Sequence, residues 1–110
     1  MQIAVVHGPS DAGPPSEEAI LARMLAEGLQ PRRWSDAPGA IYPVHRHAYH
    51  KILYVVAGAI SFGLPEEGRT IHLGVGDRLE LPAGTLHDAL VGPEGVVCLE
   101  AQLGANTETP

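Results

Sequence analysis

At 110 residues the chain is the size of one ordinary domain, long enough to bury roughly two-thirds of its unfolded surface without covalent staples. A net charge of −6, with seven Lys and Arg and no basic cluster beyond Arg32–Arg33, argues against a nucleic-acid partner. The single cysteine, Cys98, forms no intramolecular bridge, and no Cys/His finger spacing occurs.

The opening QIAVVHG lacks the charged n-region and long apolar core of a signal peptide, and no apolar run approaches a membrane span. A cytoplasmic protein with no membrane partner is the expectation. Residues 2–7 read as a short strand stopped at Gly8-Pro9, and residues 8–15 as a loop. Ser16 stands where an N-cap would, with Glu17 and Glu18 in the favourable first turn. The segment 17–27 then places Ile20, Leu21, Met24 and Leu25 on one face before Gly28 ends the helix. That face is expected to pack against the rest of the domain.

From Pro31 onward the pattern is β. Strands are expected at 31–35, 40–46, 50–57, 59–64, 69–73, 78–81, 86–91 and 95–102, with turns at Pro38-Gly39, Gly58, PEEG, Gly74–Gly76, Pro82–Gly84 and GPEG. Short strands at this spacing indicate a sandwich or barrel. The tail GANTETP reads as frayed. There is no internal repeat, so residues 1–110 are read as one domain: a strand and helix (1–30), a barrel (31–103) and the tail (104–110).

Three of the six histidines fall in YPVHRHAYHK, at 45, 47 and 50, with Lys51 directly after. Residues 45 and 47 lie two apart on a strand, so both imidazoles point to one face. Neutral imidazoles side by side are a common half of a metal site. A further histidine, His87, follows a Pro-x-Gly turn and could close a third corner. Two ordered sets emerge: Gly39, five residues, His45, one, His47, three, Lys51, six, Gly58; and Gly76, five, Pro82, one, Gly84, two, His87.

This pair of sets resembles the two signature motifs of the cupin family, G-x5-H-x-H-x3-E-x6-G and G-x5-P-x-G-x2-H-x3-N. The resemblance covers residues 39–91. It implies an all-β double-stranded β-helix (jelly-roll) barrel, with the N-terminal helix packed outside, and a homodimer. It also implies that His45, His47 and His87 bind a divalent transition metal such as Fe, Zn, Ni or Mn inside the barrel. Two positions depart: Lys51 stands for the motif's glutamate and Val91 for its asparagine.

An ammonium cannot ligate, and about 5 Å from a dication at an effective dielectric near 20 it is repelled by roughly 7 kcal/mol. Three courses are open to Lys51. It swings away from the ion; an anion such as a substrate carboxylate balances it; or the site has lost its metal. His50 is a possible fourth ligand if the chain turns sharply at Ala48–Tyr49, although strict alternation points it outward as a half-exposed strand residue. His7 and His72 read as solvent-facing, Tyr54 and Phe62 as core, Cys98 as buried filler and Asp77 as a turn residue. Tyr49, near the ligands, reads as pocket lining.

Two functions compete. One is a metalloenzyme acting on a small anionic, carboxylate-bearing molecule, with Lys51 and Tyr49 as candidate catalytic residues. The resemblance implies oxygenase or isomerase chemistry for it. The other is a non-catalytic small-molecule-binding or sensor barrel with a structural metal or none. Fold and ligands alone do not choose between them.

Overall fold

The computed structural model describes residues 2–8 and 13–104. In chain order the elements are β1 (Ala4–Val6), α1 (Glu17–Ala26), β2 (Arg32–Asp36), β3 (Ile41–His45), β4 (His50–Leu64), β5 (Arg69–Leu73), β6 (Arg78–Leu81) and β7 (His87–Leu103). The tail from 105 on and residues 9–12 of the expected loop lie outside the described residues.

Two long antiparallel strands organise the rest. The first half of β4 pairs with β6 through Lys51–Tyr54, and through His50–Val55 with Cys98–Leu103 of β7. Its second half pairs with β5 through Ile60–Leu64, and through Ile60–Gly63 with Asp88–Val91. β1 adds to β6, β2 adds to β7 at Val96–Glu100, and β3 adds to β7 at its beginning. One hydrogen-bonded network thus folds into two layers, β1-β6-β4-β7-β2 and β5-β4-β7-β3, with β4 and β7 common to both. This is a jelly-roll barrel.

Gly58 and the Gly92–Gly95 stretch, expected as turns, are instead bends inside β4 and β7. The register slips between Val55 and Ala57 and again between Gly58 and Ile60. Gly58 has φ 73°, and a Cβ there would lie 2.0 Å from the carbonyl oxygen of Gly95. A bulge glycine and a turn glycine leave the same mark in a sequence. The bend turns each strand from one layer into the other.

Alternation along the shared strands produces two apolar clusters. Leu53, Val55, Ile60, Phe62, Leu64, Leu79, Val91 and Cys98 fill the space between the layers. Ile52, Tyr54, Leu99 and Ala101 point the other way and meet Ile20, Met24 and Leu29. Residues 51–55 are therefore buried on both faces. The helix begins at Ser16, whose hydroxyl accepts the Ala19 N–H at 3.1 Å. Its buried stripe is narrower than the four-residue face expected: Ile20 and Met24 are buried, whereas Leu21 and Leu25 are exposed. A helix lying on a sheet gives full cover only to the line of contact, here i and i+4. Among the described residues no helix is long and apolar enough to cross a membrane.

Candidate metal centre

His45 ends β3 and His87 begins β7, and the two are direct cross-strand partners. His47 lies two residues beyond His45, where the chain leaves the strand. Its carbonyl accepts the N–H of Gly84 at 2.8 Å, which ties the Pro82-Ala83-Gly84 turn to the histidine segment. The ring centroids lie 4.6 Å apart for His45–His47, 4.3 Å for His45–His87 and 5.2 Å for His47–His87. One ring nitrogen from each falls within 4.8 Å of the others, so these three could hold a metal ion.

Backbone carbonyls fix the tautomers. His87 Nδ1 lies 2.8 Å from the Thr85 carbonyl, and His45 Nδ1 lies 2.6 Å from that of Pro43. A carbonyl only accepts, so each Nδ1 carries a proton, and in the neutral ring the lone pair then lies on Nε2. His87 is 1% exposed, and its Nε2 is buried with no hydrogen-bond partner. Leaving a buried polar atom unpaired costs about 1–3 kcal/mol, a cost that a metal bond would remove.

Burial pushes the His47 imidazole down to about 4, helped by the charge of Lys51 and by the two neighbouring rings. Burial also lowers His87, with Lys51 and His45 adding to it, against the opposing pull of the Thr85 carbonyl. Both are therefore neutral near pH 7, the form that ligates.

Lys51 does not swing away. It points inward from β4, 8% exposed, with its ammonium 5.7 Å from the centre of the Phe62 ring. A carboxylate of the protein itself balances it: Glu100 Oε1 lies 3.6 Å from Nζ, and Glu100 is 7% exposed. Glu100 also accepts the Trp34 indole N–H at 3.1 Å and the Gln102 amide at 3.0 Å. Sequence reading missed this residue. The available signal was alternation, because Glu100 is two places beyond Cys98 and so shares its inward face.

These groups line a cleft of about 360 Å³ formed by Trp34, Ser35, Tyr42, His45, His47, Tyr49, Lys51 and Glu100. Deeper in the barrel a cavity of about 20 Å³, the room of one water, reaches Lys51, His45 and His87 over Ile60, Phe62 and Ala89. Tyr49 stacks on His47 at 4.6 Å, and burial followed by the Glu100 charge raises its phenol. Tyr42 donates to Asp36, a bond that with burial pushes the phenol up to about 12 and lowers the Asp36 carboxyl.

His50 is not brought to the three nitrogens. Its Nδ1 accepts the N–H of Ala83 at 2.9 Å, so the inward-turned alternative gives way to strand alternation, with Lys51 inside and His50 outside. His7 and His72 are exposed; one meets Asp77 at 3.2 Å and the other Ser61 at 2.7 Å. Asp77 accepts the N–H groups of Gly8 and Gly74 and so serves the turn.

The barrel is similar to the crystal structure of the DMSP lyase DddQ from Ruegeria pomeroyi DSS-3 at 26% identity and TM-score 0.62, over 69% of this chain and 38% of that one. It is also similar to the polyketide cyclase RemF from Streptomyces resistomycificus at 26% identity and TM-score 0.57, over 67% and 54%. The chain thus spans about four-tenths and about half of those two proteins. KdgF from Halomonas sp. shares the fold over 97% of this chain and 82% of its own, at 24% identity and TM-score 0.57. A comparison with curated proteins finds no match. The family profile described as cupin domain matches residues 32–100, the stretch from β2 to Glu100 that contains all three histidines. By that match, and by the barrel that carries it, the chain belongs to the cupin family.

Proposed function

We propose that this cupin holds a divalent transition metal on His45, His47 and His87 and binds a small carboxylate-bearing molecule against it in the cleft. The observation that carries the reading is His87, whose tautomer is fixed by Thr85 and whose remaining nitrogen is buried without a partner. An all-imidazole donor set suits Fe, Zn or Ni, and Mn less well. When bound, such a metal supplies Lewis-acid polarisation of a substrate oxygen.

Three neutral ligands leave the ion's charge uncompensated, which favours an anion in the cleft. Lys51, its charge balanced by Glu100, contributes donors: Glu100 stands beyond hydrogen-bond length, so the ammonium keeps N–H donors for an oxygen of the bound molecule. Tyr49, held protonated by burial and stacked on His47 in the cleft lining, offers an O–H. Trp34 and Tyr42 supply flat apolar wall. The likeness to a DMSP lyase and a polyketide cyclase supports chemistry on a small organic molecule, and isomerase or oxygenase turnover belongs to the same reading.

A specific observation favours the second reading, a binding module without turnover. Among the described residues, Glu100 in the cleft is engaged by Trp34, Gln102 and Lys51, and Asp36 beside it by Tyr42. Neither is free to act as a general base.

Metal analysis of protein purified without a nickel column tests the site. A single transition-metal ion per chain is expected, lost in His87→Ala. Trp34 is the only tryptophan and lines the cleft, so its emission reports ligands directly. Acetate should change it in the metal-loaded protein while neutral acetamide does not. A chain that takes up none of Fe²⁺, Zn²⁺, Ni²⁺ or Mn²⁺ would overturn the reading.

A further inference from the structure

Lys51 shares the cleft with His45 and His47 and the inner cavity with His45 and His87. A cation there repels anything positive held by the three imidazoles. A dication held by the three rings would meet that repulsion with twice the charge of a proton. Left alone, Lys51 would make this a poor metal site.

Glu100 is placed to offset it. Leu53 and Glu100 are register partners across β4 and β7, which sets the carboxylate diagonally beside Lys51 on the inward face. Two neutral donors hold it there, the Trp34 indole on Oε1 and the Gln102 amide on Oε2. Its orientation therefore does not depend on the lysine. Among the described residues, its one ion pair is with Lys51. The buried pair has no net charge, and the imidazoles face a compensated neighbour.

We propose that Glu100 is a positioning residue that sets the metal affinity of the three-histidine site by neutralising Lys51, with no bond to the metal itself. The inference rests on the metal reading given above.

The test is a double-mutant cycle read as the dissociation constant for Zn²⁺, by competition with a chromophoric chelator at pH 7. Glu100→Gln keeps an oxygen for Trp34 but removes the charge, and should weaken Zn²⁺ by at least about tenfold. Lys51→Met should tighten it by about fivefold or more, and the double variant should return to within about threefold of the parent. Glu100→Asp, which retains the charge, should stay closer to the parent than Glu100→Gln. Should Glu100→Gln not fold, Lys51→Met carries the same test with the opposite sign. Weakening in Glu100→Gln that Lys51→Met does not relieve would overturn the proposal, as would Lys51→Met binding no tighter than the parent. His87→Ala separates the two levels: equal Zn²⁺ uptake by parent and His87→Ala removes the site itself, whereas a cycle that fails beside a metal-free His87→Ala removes only the role of Glu100.

Discussion

His50 accepts the backbone N–H of Ala83 through Nδ1 at 2.9 Å, which places the proton of that ring on Nε2. The histidine that looked like a spare ligand therefore holds the turn preceding His87. That turn also supplies the Thr85 carbonyl on which the His87 tautomer depends. His50→Ala should lower unfolding free energy by about 0.5–1.5 kcal/mol, the usual net worth of such a bond, while metal content stays unchanged. Denaturant melts paired with metal analysis check this. Lost metal at unchanged stability would return His50 to the ligand set.

The helix gives a contrast between neighbouring side chains. Met24 is fully buried against Ile52, Tyr54 and Leu99, while Leu25 is 56% exposed. Met24→Ala should cost about 2–5 kcal/mol, whereas Leu25→Gln should fall within about 0.5 kcal/mol of the parent. Thermal denaturation of the two variants decides which face of the helix packs.

Asp77 gives an acid limb to the stability curve. Burial works against its charge, but the N–H groups of Gly74 and Gly8 and the His7 ring outweigh that and hold its pKa below 3.8. A depressed folded-state pKa stabilises fully above the unfolded value, and that contribution is lost as pH falls through the folded one. The parent should therefore lose stability below about pH 4 more steeply than Asp77→Asn. Urea midpoints measured from pH 6 to pH 2 show the difference in slope.

Gly58→Ala probes the bend in β4. Besides its positive φ, a methyl group would collide with the Gly95 carbonyl oxygen. The left-handed backbone alone costs about 1–2 kcal/mol for an L residue, so a loss of at least about 2 kcal/mol is expected. Equal stability of the variant in a chemical melt would mean that the two strands need not approach this closely.

The three histidines were legible because the two ordered sets resemble the cupin motifs, while alternation by itself placed only His45 and His47 on a common face. Glu100 was not, since its partner Lys51 lies on another strand, joined only by the β4–β7 pairing. VVCLEA also reads as an ordinary apolar strand end, where one carboxylate looks like a solvent-facing residue. The bends at Gly58 and Gly95 were hidden for a local reason: φ is positive in both a turn and a bulge, and only the facing backbone tells them apart. Leu21 and Leu25 looked equivalent to Ile20 and Met24 because helical periodicity gives the direction of an apolar face and not its width.

Since β4 and β7 each pass through both layers, neither layer has strands enough to stand without the other. Opening one means breaking the central pair that the other also uses. The barrel should accordingly unfold as a single cooperative unit, with the slowest hydrogen exchange in the middle of β4 and β7. The candidate metal site draws His87 from one of these shared strands and its cross-strand partner His45 from β3. An ion bound there would favour the folded barrel over the unfolded chain, so its binding energy would appear as a rise in the global melting transition.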